Sequence, residues 1–174
     1  SIKITASMVD QPAALFGNGC FEPGMVKNTY GTGCFLYMNI GEELNIAGNG
    51  ILTTVAWKIG DKVTYAYDGG VYIAGAAIQW LRDGIGVIKN YSETDDMANS
   101  ISSTGGVYFV PAFAGIAAPY WDQYARGTMV GITGSTKKEH IVRATLESVA
   151  LQVKDVVDSM NLASGKKIKM LRVD

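Results

Sequence analysis

Residues 8–17 read Met-Val-Asp-Gln-Pro-Ala-Ala-Leu-Phe-Gly, and they place a carboxylate, Asp10, beside an amide, Gln11. Residues 2–7 predict a short strand. The run that begins at Pro12 predicts a helix, because proline is favoured in the first helical turn, where its missing N–H costs nothing. An acid at such a strand-to-helix junction lies at the rim of a sheet, where α/β proteins bind ligands. Asp10 is therefore either a helix cap or a reactive group.

A glycine-rich turn follows at Gly31-Thr32-Gly33. Its flanks, residues 26–30 and 34–39, carry aromatic and β-branched side chains, which predicts two strands joined by this turn. A glycine on each side of Thr32 lets the backbone approach a ligand and leaves N–H groups for an anion. An ordinary hairpin turn has the same composition, so both interpretations stay open.

The remaining pattern predicts strands at 51–57 and 63–67, which with the first hairpin form a four-stranded meander. Residues 71–83 have helical spacing. Gly75 lies inside that segment, which indicates a packing or ligand reason for the glycine. Beyond it the sequence predicts a short helix at residues 92–101. It also predicts three further strands, at residues 107–110, 127–133 and 168–173.

A long helix is predicted before the last strand. Thr136 and Glu139 have the spacing of a capping box. The apolar residues after them form one stripe at alternating steps of four and three: Val142, Leu146, Val149, Val153, Val156 and Met160. Antiparallel strands followed by alternating helices and strands indicate one α/β layered domain over residues 1–174.

Composition narrows the classes of function. The formal net charge of −1 over 174 residues provides no electrostatic footprint for nucleic acid, and no stretch is long and apolar enough for membrane insertion. The two cysteines, Cys20 and Cys34, lack metal-ligand spacing, and we expect them to be reduced thiols of a cytoplasmic protein.

Three stretches resemble the FGGY family of carbohydrate kinases. They are Asp-Gln-x-Ala-Ala-Leu-Phe-Gly at 10–17, Lys-Asn-Thr-Tyr-Gly-Thr-Gly-Cys-Phe at 27–35, and Gly-x-Met-x-Gly-Ile with the later His-Ile and Ala-Thr-Leu-Glu at 127–147. Within the family, the first two are most similar to members that phosphorylate glycerol. The resemblance implies the second, C-terminal domain of an actin-like, ribonuclease-H-like kinase, with a mixed sheet and packed helices.

The resemblance also implies roles for particular residues. Asp10 would be the general base that takes the proton of the attacking hydroxyl, and it would bind the substrate together with Gln11 and Phe35. Thr32, Gly75 and Gln79 would lie on the ATP side. None of the implied residues is a metal ligand. ATP and Mg²⁺ would be the cofactors of the full-length enzyme, which we expect to be a homo-oligomer.

Two considerations keep alternatives open. Val9, Pro12 and Ala117 depart from residues usual in the family or in its glycerol-phosphorylating members, which leaves room for a different polyol. A sugar kinase of the same family and a non-catalytic actin-like domain that binds a nucleotide or a partner are the two alternatives. The family's first domain, with its phosphate loop and metal-associated acid, has no counterpart here. We therefore expect a piece of a longer protein that lacks the first domain and the chain end and is inactive alone.

Overall fold

The predicted glycine-turn hairpin is present in the computed structural model, which describes residues 2–174. In chain order, the elements of the structure are α1 (Asp10–Gly17), β1 (Val26–Tyr30), β2 (Cys34–Gly41), β3 (Leu52–Ile59), β4 (Lys62–Val71), α2 (Gly75–Asp83), α3 (Glu93–Asn99), β5 (Tyr108–Val110), β6 (Thr128–Val130), α4 (Lys138–Ser164) and β7 (Leu171–Val173). The chain divides into two compact units.

The first unit comprises the described residues up to 30 together with 35–70 and 156–174. Its sheet has the strand order β3-β4-β2-β1-β7. Strands β1 and β7 are parallel, with Lys27 opposite Arg172, whereas β3 and β4 are antiparallel. The core on one face of this sheet includes Leu15 and Cys20 with side chains of β2, β3 and β4: Tyr37, Ala56, Trp57 and Ala66. The predicted mixed α/β architecture is confirmed.

The predicted meander is wrong in one respect, because β4 and not β3 is the neighbour of β2. The tight turn at Gly60, with φ of +61°, makes β3 and β4 a hairpin. The long polar connection at residues 42–51 then allows β3 to take the edge position. Burial agrees with this order, since β4 contains the buried Ala66, Tyr67 and Val71, whereas both ends of β3 are exposed.

The strand predicted at residues 2–7 is also absent. Ile2 and Ile4 are 99% and 89% exposed, and the five-stranded sheet contains no strand from this segment. Strand-like composition alone does not make a strand, because a strand also needs a neighbour to accept its backbone hydrogen bonds.

The second unit comprises residues 31–34 and 71–155. It contains α2, α3, the two-stranded sheet of β5 and β6, and residues 138–155 of α4. Its core includes Ala77, Val107, Phe109 and Ala144, with Trp80 and Phe113 packed against them. Residues 156–164 of α4 belong to the first unit, where Val156 and Met160 are fully buried.

The start of α4 differs from the predicted capping box. The helix begins at Lys138, and the Thr136 hydroxyl accepts a hydrogen bond from the N–H of Thr133 rather than from the helix. The ring Nδ1 of His140 instead accepts the N–H of Lys137, at 2.9 Å. A histidine therefore takes the reciprocal capping role that the spacing assigned to Glu139.

Candidate active site

The first turn of α1 presents Asp10 at an exposed position. Val9 is the N-cap residue, with extended backbone and no side-chain cap, so the interpretation of Asp10 as the N-cap is wrong. Asp10 is the first helical residue, and its Oδ1 accepts the N–H of Gln11 at 2.8 Å. No hydrogen bond to Oδ2 is formed within residues 2–174. The negative charge suits the positive end of the helix, and Oδ2 can accept a further proton donor.

Gln11, the next residue, contacts a lysine that sequence reasoning did not single out. Lys27 of β1 is fully buried. Its ammonium donates to the side-chain oxygen of Gln11 and, at 2.7 Å, to the hydroxyl of Thr29. Lys27 and Thr29 are two residues apart on one strand, so the period of two places them on the same face. The sequence could have predicted that pairing, but not that α1 covers this face.

The polar network continues to the end of β7. The Thr29 hydroxyl donates to Asp174, with distances of 3.0 Å to Oδ1 and 3.2 Å to Oδ2. The side-chain amide of Asn18 also donates to Oδ1 of Asp174, at 3.2 Å. Thr29 lies near the carboxyl end of β1, and Asp174 directly follows the parallel strand β7. The carboxyl edge of a parallel pair is where α/β sheets bind ligands, and Thr29 and Asp174 lie at this edge. The strand-to-helix junction expected to place Asp10 at a sheet rim is not formed, because residues 2–7 make no strand.

Charged and aromatic groups surround Lys27 on the sheet. Its Nζ lies 5.2 Å from the ring centroid of Tyr37, and the Tyr37 hydroxyl donates to Oδ2 of Asp68 at 2.5 Å. Burial lowers the pKa of Lys27, while the charges of Asp174, Asp10 and Asp68 oppose that shift. Burial raises the pKa of Asp68, against the effects of Tyr37 and Lys27. Burial and the hydrogen bond to Asp68 raise the pKa of Tyr37.

Phe35 lies on β2, in the same unit as Asp10 and Gln11. Its side chain is 37% exposed, which leaves part of the ring available as apolar surface. The neighbouring β4 residue is Gly70, and a side chain there would begin 3.8 Å from the Phe35 ring. An exposed aromatic ring of this kind can pack against the carbon atoms of a small substrate.

The glycine turn is bound to the start of α2 within the second unit. The Thr32 carbonyl accepts the N–H groups of Ala74 and Ala76, and the Gly31 carbonyl accepts that of Gly75 at 3.0 Å. A Cβ on Gly75 would lie 2.6 Å from the Gly31 oxygen, and one on Gly33 would lie 2.4 Å from the Val71 oxygen. Both glycines are therefore required for this close approach.

The structure brings together the three residues expected on the ATP side. The helix predicted at 71–83 starts later than expected, since Val71 is the last residue of β4 and α2 begins at Gly75. Gly75 is therefore the first residue of the helix and not an interior one. Gln79 lies one turn later on the same helix face as Gly75, and both are exposed. Thr32 is exposed as well, and within residues 2–174 its hydroxyl makes no hydrogen bond. The Thr32 hydroxyl, the Gly75 backbone and the Gln79 side-chain amide are thus all exposed to solvent near the glycine turn and the start of α2.

Across residues 2–174, no three Asp, Glu, His or Cys side chains cluster in a way that could hold a metal ion. None of the helices in that range combines the length and the apolar character of a membrane-crossing segment.

Comparison with known proteins gives consistent matches. Glycerol kinase 2 of Thermotoga maritima is 57% identical over 99% of this chain, and glycerol kinase of Carboxydothermus hydrogenoformans is 55% identical over 100%. The chain spans 35% of the length of each. The structure of Plasmodium falciparum glycerol kinase with ADP matches 95% of this chain and 33% of its own, with a TM-score of 0.87 and 40% identity.

More distant kinases share the fold. A xylulose kinase structure from Rhodospirillum rubrum superimposes with a TM-score of 0.76 at 21% identity, over 91% of this chain and 31% of its own. Together with the match to the Plasmodium falciparum structure, this confirms the predicted actin-like fold class. The family model described as the C-terminal domain of the FGGY family of carbohydrate kinases matches residues 26–174. On this evidence, the chain belongs to the FGGY family of carbohydrate kinases.

Proposed function

We propose that the protein containing this chain is an ATP-dependent kinase that converts glycerol to sn-glycerol 3-phosphate, and that residues 1–174 form most of its second domain. The observation that carries the proposal is the exposed Asp10 carboxylate beside Gln11, whose side chain accepts a hydrogen bond from the buried Lys27 of β1. The names of the relatives at 55–57% identity support glycerol as the substrate.

In this proposal Asp10 acts as the general base. Phosphoryl transfer requires a hydroxyl oxygen to attack the γ-phosphorus, and the proton of that hydroxyl needs an acceptor. An exposed carboxylate with Oδ1 held by the Gln11 N–H can offer Oδ2 to the proton. Gln11 would hold a second hydroxyl by hydrogen bonds, and Phe35 would pack against the carbon atoms of the triol.

The second unit would contribute to the ATP side. The Thr32 hydroxyl would donate to a phosphate oxygen, and the bare Gly75 position would let the nucleotide approach the backbone. The Gln79 amide, one turn later, would hydrogen-bond to the nucleotide. Mg²⁺ bound with ATP would neutralise phosphate charge, and we assign it no ligand in this chain. We also propose that the full-length enzyme is a cytoplasmic homo-oligomer.

A kinase for another sugar or polyol is the second candidate. Val9, which precedes Asp10, is 69% exposed and could crowd or reshape the approach to the carboxylate. The competing interpretation predicts a preference for a longer substrate.

Substrate profiling of the full-length protein separates the two candidates. We expect kcat/KM for glycerol to exceed the values for xylulose and gluconate by about tenfold or more, because buried polar groups left without partners penalise a wrong substrate. ADP release with ATP and each substrate in turn provides the measurement. A higher kcat/KM for either alternative would overturn the glycerol assignment. ADP release with none of the three would favour a non-catalytic domain.

A further inference from the structure

Lys27 has no role in the phosphoryl transfer proposed above, yet it is the one charged side chain that is fully buried within residues 2–174. Burying an ammonium group is costly unless it is paired or hydrogen-bonded. Burial indeed lowers the pKa of Lys27. The contacts of Lys27 therefore need an explanation beyond packing.

The chemistry of the ammonium fixes the orientation of Gln11. An ammonium group has three donors and no acceptor, whereas an amide side chain has an acceptor oxygen and a donor NH₂. Lys27 contacts the oxygen of Gln11, so the NH₂ group is turned away from the lysine. Without a charged donor on that side, either end of the amide could face a ligand.

Lys27 is itself held in place. Thr29 accepts a second ammonium hydrogen bond, and its own hydroxyl proton is committed to Asp174. The Tyr37 ring, with its centroid 5.2 Å from Nζ, offers a cation–π contact. The lysine thus cannot move without losing two hydrogen bonds and that contact.

We propose that Lys27 is a positioning residue that makes Gln11 present its NH₂ group, rather than its carbonyl oxygen, to the polyol. This inference rests on the proposed function, in which Gln11 binds the substrate. Asp10 then offers an acceptor and Gln11 a donor. A polyol hydroxyl both donates and accepts, so adjacent hydroxyls of one substrate can satisfy both groups. A substrate with a carboxylate or phosphate at this point would be repelled by Asp10.

The first test uses steady-state kinetics of the full-length enzyme. Lys27→Met keeps most of the length of the side chain but removes the donor. We expect it to raise KM for glycerol about tenfold, while kcat and the KM for ATP stay within about threefold of the wild-type values. This is the pattern for loss of an interaction that is equally strong in the ground state and the transition state. In a Gln11→Leu background, the same change should alter KM less than about twofold, because coupled residues are not additive. The matched control is Lys58→Met, at an exposed position of β3, which should leave KM unchanged.

A second variant keeps Lys27, so this test remains valid even where the Lys27→Met protein does not fold. Gln11→Glu gives the ammonium a carboxylate partner and removes the NH₂ group. We expect the melting temperature to stay within a few degrees of the wild-type value or to rise, and KM for glycerol to increase about tenfold or more. If the amide oxygen met the polyol instead, the carboxylate would still accept and KM would stay unchanged.

The outcomes distinguish this inference from the proposed function. Additive effects of Lys27→Met and Gln11→Leu, an unchanged KM in Gln11→Glu, or a melting temperature lowered by many degrees in Gln11→Glu would each overturn the role of Lys27. If the wild-type enzyme prefers another polyol, the glycerol assignment fails, and the same KM comparisons with that polyol decide the role of Lys27. Thermal melting of Gln11→Glu tests the lysine contact without any substrate.

Discussion

Asp10→Asn in the full-length enzyme is expected to lower kcat for glycerol phosphorylation by ~10²–10⁴-fold while changing KM for glycerol much less. Asparagine keeps the size of the side chain and one oxygen, so the hydrogen bond from the Gln11 N–H can persist. It cannot accept the proton of the attacking hydroxyl. Steady-state kinetics with saturating ATP measure the effect directly.

The same variant tests the structural role of Asp10. Asparagine is nearly as good as aspartate at a helix start, and Val9 rather than Asp10 is the N-cap. The melting temperature should therefore remain close to that of the wild type. Asp61→Asn, an exposed acid in the turn between β3 and β4, is the matched control and should retain full activity. Near-normal kcat in Asp10→Asn would remove this residue from the chemistry.

Gly75→Ala is expected to have the second largest effect, because the added methyl group would lie 2.6 Å from the carbonyl oxygen of Gly31. The clashing atom belongs to the backbone of the Gly31-Thr32-Gly33 turn, so it cannot move aside as a flexible side chain could. Overpacking of this kind costs about 1–3 kcal/mol of unfolding free energy. If Thr32 contacts the phosphates, its displacement should also reduce kcat/KM for ATP. A loss of about 1.4 kcal/mol of transition-state stabilisation corresponds to a tenfold reduction, so we expect about tenfold or more.

Gly48→Ala provides the control for this substitution. Gly48 lies in the connection between β2 and β3, and a Cβ there would have no heavy atom within 4 Å. We expect its unfolding free energy and its kinetics to match those of the wild type. Denaturant unfolding and ATP titrations on both variants make the comparison. Equal behaviour of Gly75→Ala and Gly48→Ala would contradict the proposed nucleotide role of the turn.

Local patterns predicted much of the fold. Aromatic and β-branched flanks around a glycine turn correctly predicted β1 and β2, and the apolar stripe predicted α4. In both cases the residues that predict the helix or strand are the residues that form it. Val142, Val153, Val156 and Met160 of the stripe are indeed buried.

Features that depend on distant parts of the chain could not be predicted. The edge position of β3 is decided by which strand pairs with β2, and the segment 2–7 has strand-like composition but no strand partner. The site shows the same division. Asp10 and Gln11 could be proposed as site residues from one short stretch of sequence, whereas the proposed role of Lys27 depends on α1 covering the face of β1 that carries it.

Our main proposal is that this chain supplies the polyol side of a glycerol-phosphorylating enzyme. Its most direct test is the identity of the product formed by the full-length protein from ATP and glycerol, measured by mass spectrometry and a stereospecific dehydrogenase assay. We expect equal amounts of ADP and sn-glycerol 3-phosphate, with both lost in parallel in Asp10→Asn. ADP without a phosphorylated triol, or the opposite stereoisomer, would contradict it.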